Sequence, residues 1–460
     1  MDRVGSILDG LAGRRMLVVG LARSGAAAAR VLAARGARVI GTDRSSAVAA
    51  AGELAAAGVE LRLGGDRPEL VADSEMVVLS PGVPLEGALA ATARGRGIPV
   101  IGELELAWRL AAIETVAVTG TNGKSTTTAL CAHLLERAGR RVFLGGNIGR
   151  PLSELLLPEA AAAAAELAVV EVSSFQLEHL SAADVLAPRA AVWLNLTPDH
   201  LDRHGDQARY GAIKRRLFAG QGPEQTAVLF ADDDWVQRMS EGLGARRRAF
   251  GRDARVLTAT DCRIDGRRLL FERGRLELRN SRLAGDHNAE NAAAAVLVAA
   301  ELGAGLSALQ AGLDDFPGLA HRLEPVRELD GVSWINDSKG TNPDATAKSL
   351  TGFAGRVILI AGGRGKGTDY RKLRQSVAQR VSRLLLLGED RERLAADLDG
   401  AAEMELVADM EAAVARARRL AHAGDTVLLS PACASFDMFD DYAHRGDVFR
   451  SLVEALEAGS

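Results

Sequence analysis

Short, almost wholly apolar runs alternate along this chain with longer stretches in which apolar residues recur at helical spacing. Arg14 to Gly20, Met76 to Leu79, Thr115 to Val118, Arg141 to Leu144, Leu167 to Val172, Ala190 to Leu194 and Ala227 to Phe230 predict strands. Most have no polar face to turn to water, so they fit a parallel sheet covered on both sides. Between them, Ala26 to Arg35 (closed by Gly36), Thr127 to Ala138 and the alanine-rich Asn288 to Leu302 predict helices. Val256 to Leu283 differs: its short, charged, alternating runs Arg268 to Phe271 and Arg275 to Leu278 predict a small antiparallel excursion. Beyond Phe316-Pro317-Gly318 the alternation resumes, with strands at Val332 to Ile335, Arg356 to Ala361, Arg383 to Leu387 and Thr426 to Leu429.

The pattern is that of an α/β protein with three domains in line: a Rossmann-like domain over 1–103, a central parallel-sheet domain over 104–317, and a C-terminal Rossmann-like domain over 318–460. A length of 460 residues exceeds what one core supports. The first unit runs from its opening strand through a helix into Ala37 to Thr42, ending in Asp43. Its turn Gly20-Leu21-Ala22-Arg23-Ser24-Gly25 has Ala22 where a dinucleotide fingerprint needs its second glycine, which argues against NAD. A nucleotide diphosphate held less closely remains open. Ser80-Pro81-Gly82-Val83-Pro84 follows a strand, at the end where ligands of open α/β sheets sit.

Composition narrows the class. The chain is 47% hydrophobic and 25% charged with a net charge of −4, which supplies no electrostatic ground for nucleic acid or an anionic membrane as partner. Three widely spaced cysteines suit reduced thiols, without a zinc or disulfide pattern. No run approaches membrane-spanning length; Ala160 to Ala165 is far too short, and Met1 to Gly10 lacks the apolar core of a signal peptide. A cytoplasmic enzyme is expected.

The chemistry centres on Thr119-Gly120-Thr121-Asn122-Gly123-Lys124-Ser125-Thr126, between a predicted strand and a helix. Such a turn aims backbone N–H groups and a helix N-terminus at an anion. Lys124 is placed to reach terminal phosphates and Ser125 to ligate magnesium. Val118 stands where the usual pattern has its first glycine, so Gly120 opens a shorter Gly-x-x-Gly-Lys-Ser-Thr turn that binds a nucleoside triphosphate. Further clusters leave other strands. Gly145-Gly146-Asn147-Ile148-Gly149 reads equally as a simple turn or as a close backbone approach to a ligand. Glu171-Val172-Ser173-Ser174-Phe175-Gln176-Leu177-Glu178 puts a carboxylate at a buried strand end, where magnesium would partner it; a serine-capped helix with incidental acids is the alternative. Asn195-Leu196-Thr197-Pro198-Asp199-His200-Leu201-Asp202 and Tyr210 to Lys214 follow.

The third unit holds His321-Arg322-Leu323-Glu324, Asn336-Asp337-Ser338-Lys339-Gly340-Thr341-Asn342, Gly362-Gly363-Arg364-Gly365-Lys366 and Ser430-Pro431-Ala432-Cys433-Ala434-Ser435-Phe436-Asp437. Taken with the phosphate loop, these segments resemble the Mur ligases, from the first strand to Arg445-Gly446. The phosphate loop alone points only to the wider group that includes folylpolyglutamate synthases. The Ser-Pro-Ala-Cys-Ala-Ser segment and Gly-Gly-Arg-Gly-Lys point to the branch that adds D-glutamate to UDP-N-acetylmuramoyl-L-alanine. Two positions depart from the pattern: Gly340 where alanine is usual, an exchange expected to be harmless, and Tyr442 in place of phenylalanine.

The resemblance implies a reaction in which ATP phosphorylates the L-alanine carboxylate and the D-glutamate amine displaces phosphate. It implies two magnesium ions, one held by Ser125 and Glu171, the other by His200 and a carbamylated Lys214. Lys124, Asn147, His200 and Lys214 would act in catalysis. Gly120, Thr121, Asn122, Gly123, Lys124, Ser125, Thr126, Asn291, Arg322, Asp337 and Lys339 would bind ATP. Ser24, Asp43, Arg44, Gly82 and Asn147 would bind the UDP-sugar, and Thr341, Lys366, Ser435 and Tyr442 the D-glutamate. A monomer acting on small molecules in peptidoglycan precursor synthesis is expected. Rival readings are another ligase of the group and, from a different class, a nucleotide-hydrolysing switch.

Overall fold

The computed structural model describes residues 3–159, 165–253, 261–353, 355–365 and 369–458. Lys366, most of the Ala160–Ala165 stretch and the start of the Val256 segment lie outside these residues. The chain divides into two compact units, Met1–Phe316 and Pro317–Ser460.

The first unit carries two sheets. One joins β1 (Arg15–Val19), β2 (Arg38–Asp43), β3 (Glu60–Leu63), β4 (Met76–Leu79) and β5 (Val100–Gly102) in the order β3-β2-β1-β4-β5, all parallel. Order reverses between β1 and β4, which opens a crevice at their C-terminal ends. The other sheet contains β6 (Glu114–Thr119), β7 (Val142–Gly146), β8 (Leu167–Glu171), β9 (Ala190–Trp193), β10 (Thr226–Phe230), β11 (Arg246–Gly251), β12 (Cys262–Asp265), β13 (Arg268–Phe271) and β14 (Gly274–Glu277). Its order is β14-β13-β12-β11-β10-β9-β6-β8-β7. It is parallel from β7 to β12, and β13 and β14 form the expected antiparallel excursion. β6, β8 and β9 are buried almost throughout, as their apolar runs require.

The helix Glu103–Leu110 belongs to both cores of this unit. Leu106 packs with Met16, Val18 and Ile101, whereas Leu104 and Ala107 pack with Ala117, Phe143 and Val170. Its two buried glutamates tie it to the central sheet: Glu103 accepts from the Ser153 N–H and hydroxyl (2.8 and 2.7 Å), and Glu105 from those of Ser181 (both 2.6 Å). A helix shared in this way explains why the two sheets cohere as one unit.

The second unit holds β15 (Glu324–Leu329), β16 (Val332–Asn336), β17 (Val357–Gly362), β18 (Val381–Leu387), β19 (Glu403–Leu406) and β20 (Thr426–Leu429), ordered β15-β16-β20-β17-β18-β19. The sheet is not wholly parallel, as the alternation suggested: β15 pairs antiparallel with β16 at the edge. Its two apolar cores lie on opposite faces, one around Trp334 and Phe449 and one around Tyr370 and Leu384. No helix among the described residues is long and apolar enough to cross a membrane.

Candidate functional site

The phosphate loop leaves β6 and enters the helix Lys124–Arg137. Gly123 sits at φ +85°, and a Cβ there would meet Asn291 Oδ1 at 2.3 Å, so only glycine lets the loop close down on that side chain. Asn291 is buried on the helix Asp286–Glu301 and accepts from the Thr127 hydroxyl at 3.2 Å. It therefore supports the loop from beneath. The Lys124 ammonium folds across the loop and donates to the Gly120 and Thr121 carbonyls (3.0 and 2.9 Å). Ser125 and Thr126 are buried in the first turn of the helix.

Asn195, at the end of β9, clamps the same loop. Its Oδ1 accepts from the Thr121 and Asn122 N–H groups (3.1 and 2.8 Å), and its Nδ2 donates to the Asn122 carbonyl at 3.1 Å. In the sequence Asn195 is one of several polar residues in its cluster, and a side-chain amide just after a buried strand is the signal that marks it. Three such bonds, at about 1 kcal/mol each, are worth about a hundredfold in loop order. Asn195→Ala is expected to raise the Michaelis constant for ATP by that factor in steady-state assays. Asn195→Asp is expected to do worse, because it keeps the acceptor but sets a negative charge beside the phosphates.

Glu171 ends β8, next to β6 in the sheet, and is 2% exposed. Asn147 donates to its Oε1 at 2.7 Å, while Oε2 is buried with no hydrogen-bond partner among the described residues. A buried carboxylate oxygen with no donor is costly unless a cation completes it. This hard anionic oxygen, beside the loop that carries Ser125, fits magnesium. The following helix, Ser174–Glu178, starts on a capping box formed by Ser173 and Gln176.

His200 lies in the left-handed region at φ 53°, its ring 4.9 Å from that of Phe175 and 6.4 Å from that of Tyr210. Its Nε2 is 3.5 Å from Asp199 Oδ2. Tyr210 is buried with its hydroxyl against Thr121, and burial pushes its pKa up to about 12. Lys214 is 1% exposed; its Nζ lies 4.4 Å from the Tyr210 ring centroid and donates to the Gly120 carbonyl at 2.8 Å. Burial first, then the charge of Lys124, hold its pKa well below the usual lysine value, against opposing pulls from Asp199 and Glu171. Tyr210 thus joins His200, Lys214 and the phosphate loop. Among the described residues no three His, Cys, Asp or Glu side chains form a ready metal cluster. His200 and Lys214 suit a second cation only once Lys214 carries negative charge.

At the first sheet, a cavity of about 240 Å³ is lined by Asp43, Arg44, Gly82, Ala22 and Val83, among others, at the crevice beside β1 and β4. Asp43 accepts from the Leu21 and Ser45 N–H groups (2.7 and 2.9 Å), and exposed Arg44 pairs with Asp66 at 2.7 Å. Ser24 stands half-buried in the first turn of the adjoining helix, outside the lining residues.

The second unit has its own polar centre. Asp337 is buried and accepts from the Ser349 and Ser430 hydroxyls (both 2.7 Å); burial raises its pKa, and nearby Arg322 partly offsets that. Lys339 lies 5.6 Å from the Tyr442 ring centroid, and the Thr341 N–H donates to the Lys339 carbonyl. Ser435 is buried in the turn before Tyr442. A Cβ at Gly340 would sit 2.7 Å from Ser430 Oγ and 2.9 Å from Asp337 Oδ2, so glycine there admits this tight cluster. Arg445 emerges only from the structure. It is 2% exposed, donates to Ser338 Oγ and to the Ser338 and Cys433 carbonyls, and thereby braces the loops that carry Lys339 and Ser435.

Residues 14–102 match the Mur ligase MurD-like N-terminal domain, 118–299 the Mur ligase middle domain, and 321–433 the Mur ligase glutamate ligase domain. The chain is 48% identical over 459 residues to a UDP-N-acetylmuramoylalanine–D-glutamate ligase of Anaeromyxobacter dehalogenans (strain 2CP-C), covering 96% of this chain and 98% of that protein. A ligase of the same name from Myxococcus xanthus (strain DK1622) is 45% identical over 457 residues, 97% of this chain and 99% of that one. Among solved structures, UDP-N-acetylmuramate-alanine ligase MurC from Thermotoga maritima shares the fold, with a TM-score of 0.61 at 18% identity over 96% of this chain and 99% of that chain.

Proposed function

Because the chain belongs to the Mur ligase family, we propose that it ligates D-glutamate to UDP-N-acetylmuramoyl-L-alanine at the expense of ATP, in the cytoplasm, as a step of peptidoglycan precursor synthesis. The observation that carries this reading is the pairing of a phosphate loop with a bare, buried Glu171 oxygen at the same end of adjacent strands. The domains divide at 103/104 and at 317/318 in this reading.

A carboxylate resists attack by an amine at neutral pH. In the first step a carboxylate oxygen of the L-alanine moiety attacks the γ-phosphorus, the bond to the β-phosphate oxygen breaks, and ADP leaves. In the second, the D-glutamate amine attacks the acyl carbon, phosphate departs with the electron pair of the C–O bond, and the nitrogen loses a proton. Two anions must meet in the first step, so positive charge and N–H donors have to be in place beforehand. Lys124 and the backbone of Gly120 to Thr126 supply both to the phosphates. Ser125 and Glu171, steadied by Asn147, would hold one magnesium ion, and His200 with modified Lys214 a second. Magnesium supplies charge neutralisation on the phosphate oxygens when bound. Asp43, Arg44, Gly82 and Ser24 would hold the uridine diphosphate end, with Asn147 toward the reacting carboxylate. In the second unit Arg322, Asp337 and Lys339 would meet ATP, and Thr341, Lys366, Ser435 and Tyr442 the D-glutamate.

ADP release measured with UDP-N-acetylmuramoyl-L-alanine and D-glutamate, against L-glutamate and other amino acids, tests the whole reading. Release that is independent of D-glutamate, or that prefers another amino acid, overturns it. Lys366→Ala is expected to raise the D-glutamate Michaelis constant far more than that of ATP, since losing a charge-assisted contact to the substrate carboxylate costs about 2–5 kcal/mol. A shift in the ATP constant instead would move Lys366 to the nucleotide site.

A further inference from the structure

His179 follows the helix Ser174–Glu178 and is 2% exposed, yet among the described residues neither ring nitrogen has a hydrogen-bond partner. A neutral imidazole always offers one donor and one acceptor, so burying both unpaired is unfavourable unless another state of the protein uses them. The imidazole is neutral here: burial, reinforced by the charge of Arg203, lowers its pKa to about 4. The one opposing influence comes from the backbone of Val83. A backbone group that favours a protonated ring is an acceptor, so it is the Val83 carbonyl that faces the imidazole.

Val83 lines the cavity at the first sheet, so this contact borders it. His179 is pinned by its own carbonyl, which accepts from the Gly102 N–H at 3.1 Å at the end of β5. A Cβ on Gly102 would sit 2.8 Å from the His179 Cβ, so the two chains touch there. Val83 belongs to the turn in which its N–H donates to the Ser80 carbonyl at 2.9 Å, and Ser80, Gly82, Val83 and Pro84 all line the cavity. The Val83 Cγ2 lies 2.8 Å from where a side chain on Gly20 would begin. Val83 is therefore flanked by Gly20, which follows β1, and by His179, which follows the helix Ser174–Glu178.

We propose that His179 is a positioning residue for the UDP-sugar: when ligand fills the cavity, the imidazole N–H closes onto the Val83 carbonyl and holds the Ser80–Pro84 loop against the ligand. The proposal rests on the cavity being the UDP-sugar site. Hydrogen bonds of this kind are often long or misaligned without ligand and tighten in the complex.

The test uses the full chain and calorimetric titration with UDP-N-acetylmuramoyl-L-alanine, alongside thermal unfolding and Michaelis constants. His179→Leu removes two unpaired polar atoms and fills the space, so its Tm is expected to equal or exceed that of the unsubstituted protein. Its UDP-sugar Kd and Michaelis constant are expected to rise about tenfold, while the ATP constant stays within about twofold. His179→Gln, which keeps an N–H at similar reach, is expected to recover most of the affinity. A purely structural histidine would give the opposite pattern, with a lower Tm and unchanged UDP-sugar affinity in His179→Leu, and that result overturns the proposal. So does a Gln variant no better than Leu. If the unsubstituted protein fails to bind the UDP-sugar, the assignment of the cavity fails first, and the proposal with it.

Discussion

Replacing Lys124 by alanine is expected to abolish ADP release while the UDP-sugar still binds with unchanged affinity. Lys124 lies on the phosphate loop at the end of β6, whereas the cavity with Asp43, Arg44 and Gly82 lies on the other sheet of the unit. The ammonium rests on the Gly120 and Thr121 carbonyls, within the loop that would cradle the phosphates, and has only to swing from these to reach them. Removing one donor aimed at developing charge costs about 10²–10³-fold in kcat. A second loss adds to it here. The Lys124 charge is one of the two influences that lower the pKa of Lys214, so its removal leaves Lys214 more protonated as well. The loss is therefore expected to exceed that of Asn195→Ala, which only loosens the loop. Calorimetry on the folded variant separates the cases: lost UDP-sugar binding would contradict the division of labour between the two sheets.

Strands apolar on both faces are legible in the sequence, because burial on both sides leaves no other pattern open to them. β3, β11, β15 and β19 were missed. Each mixes charged residues into the run, and β3 and β15 lie at sheet edges, as does β19, where alternate residues face water and the apolar signal halves. Arg246-Arg247-Arg248 in β11 reads as a surface loop until Glu301 is seen to take Arg246 and Arg248, leaving Arg247 to Gln237 and Ser240. Individual contacts within the site were harder still. Arg215 and Arg216 follow Lys214 in sequence, yet neither is the cation that bears on it. They turn elsewhere, Arg215 to the Met239 and Glu241 carbonyls and Arg216 to those of Leu177, Glu178 and Leu180. Adjacent residues on a helix do not share a face, so the cation that bears on Lys214 comes instead from the phosphate loop. Asn195 and Arg445 act on backbone atoms far away in sequence, which no local motif announces.

Lys214 is expected to work as a carbamate, and its surroundings say why an ordinary ammonium would not serve. An ammonium there would be buried at 1% exposure, with like charge from Lys124 bearing on it; it meets the Gly120 carbonyl and the Tyr210 ring, and the charges of Asp199 and Glu171 offset its burial only in part. These conditions favour the neutral amine, the only form whose lone pair can attack carbon dioxide. The new N–C bond forms with release of one proton, leaving a negative group with two oxygens. Repulsion from Lys124 then becomes attraction, and the oxygens suit hard magnesium beside His200. The sign of the pH effect follows. Acid protonates the amine and returns carbon dioxide, so activity should fall as pH drops in carbonate-free buffer and should be restored by bicarbonate. Lys214→Arg retains charge but has no amine to modify, and it is expected to lose at least about a hundredfold in kcat. With ¹³C-labelled bicarbonate, a carbamate carbon signal should appear in the unsubstituted protein and be missing from Lys214→Arg. Activity indifferent to the removal and return of bicarbonate, together with an unharmed arginine variant, would leave Lys214 as no more than a buried brace for the Gly120 carbonyl.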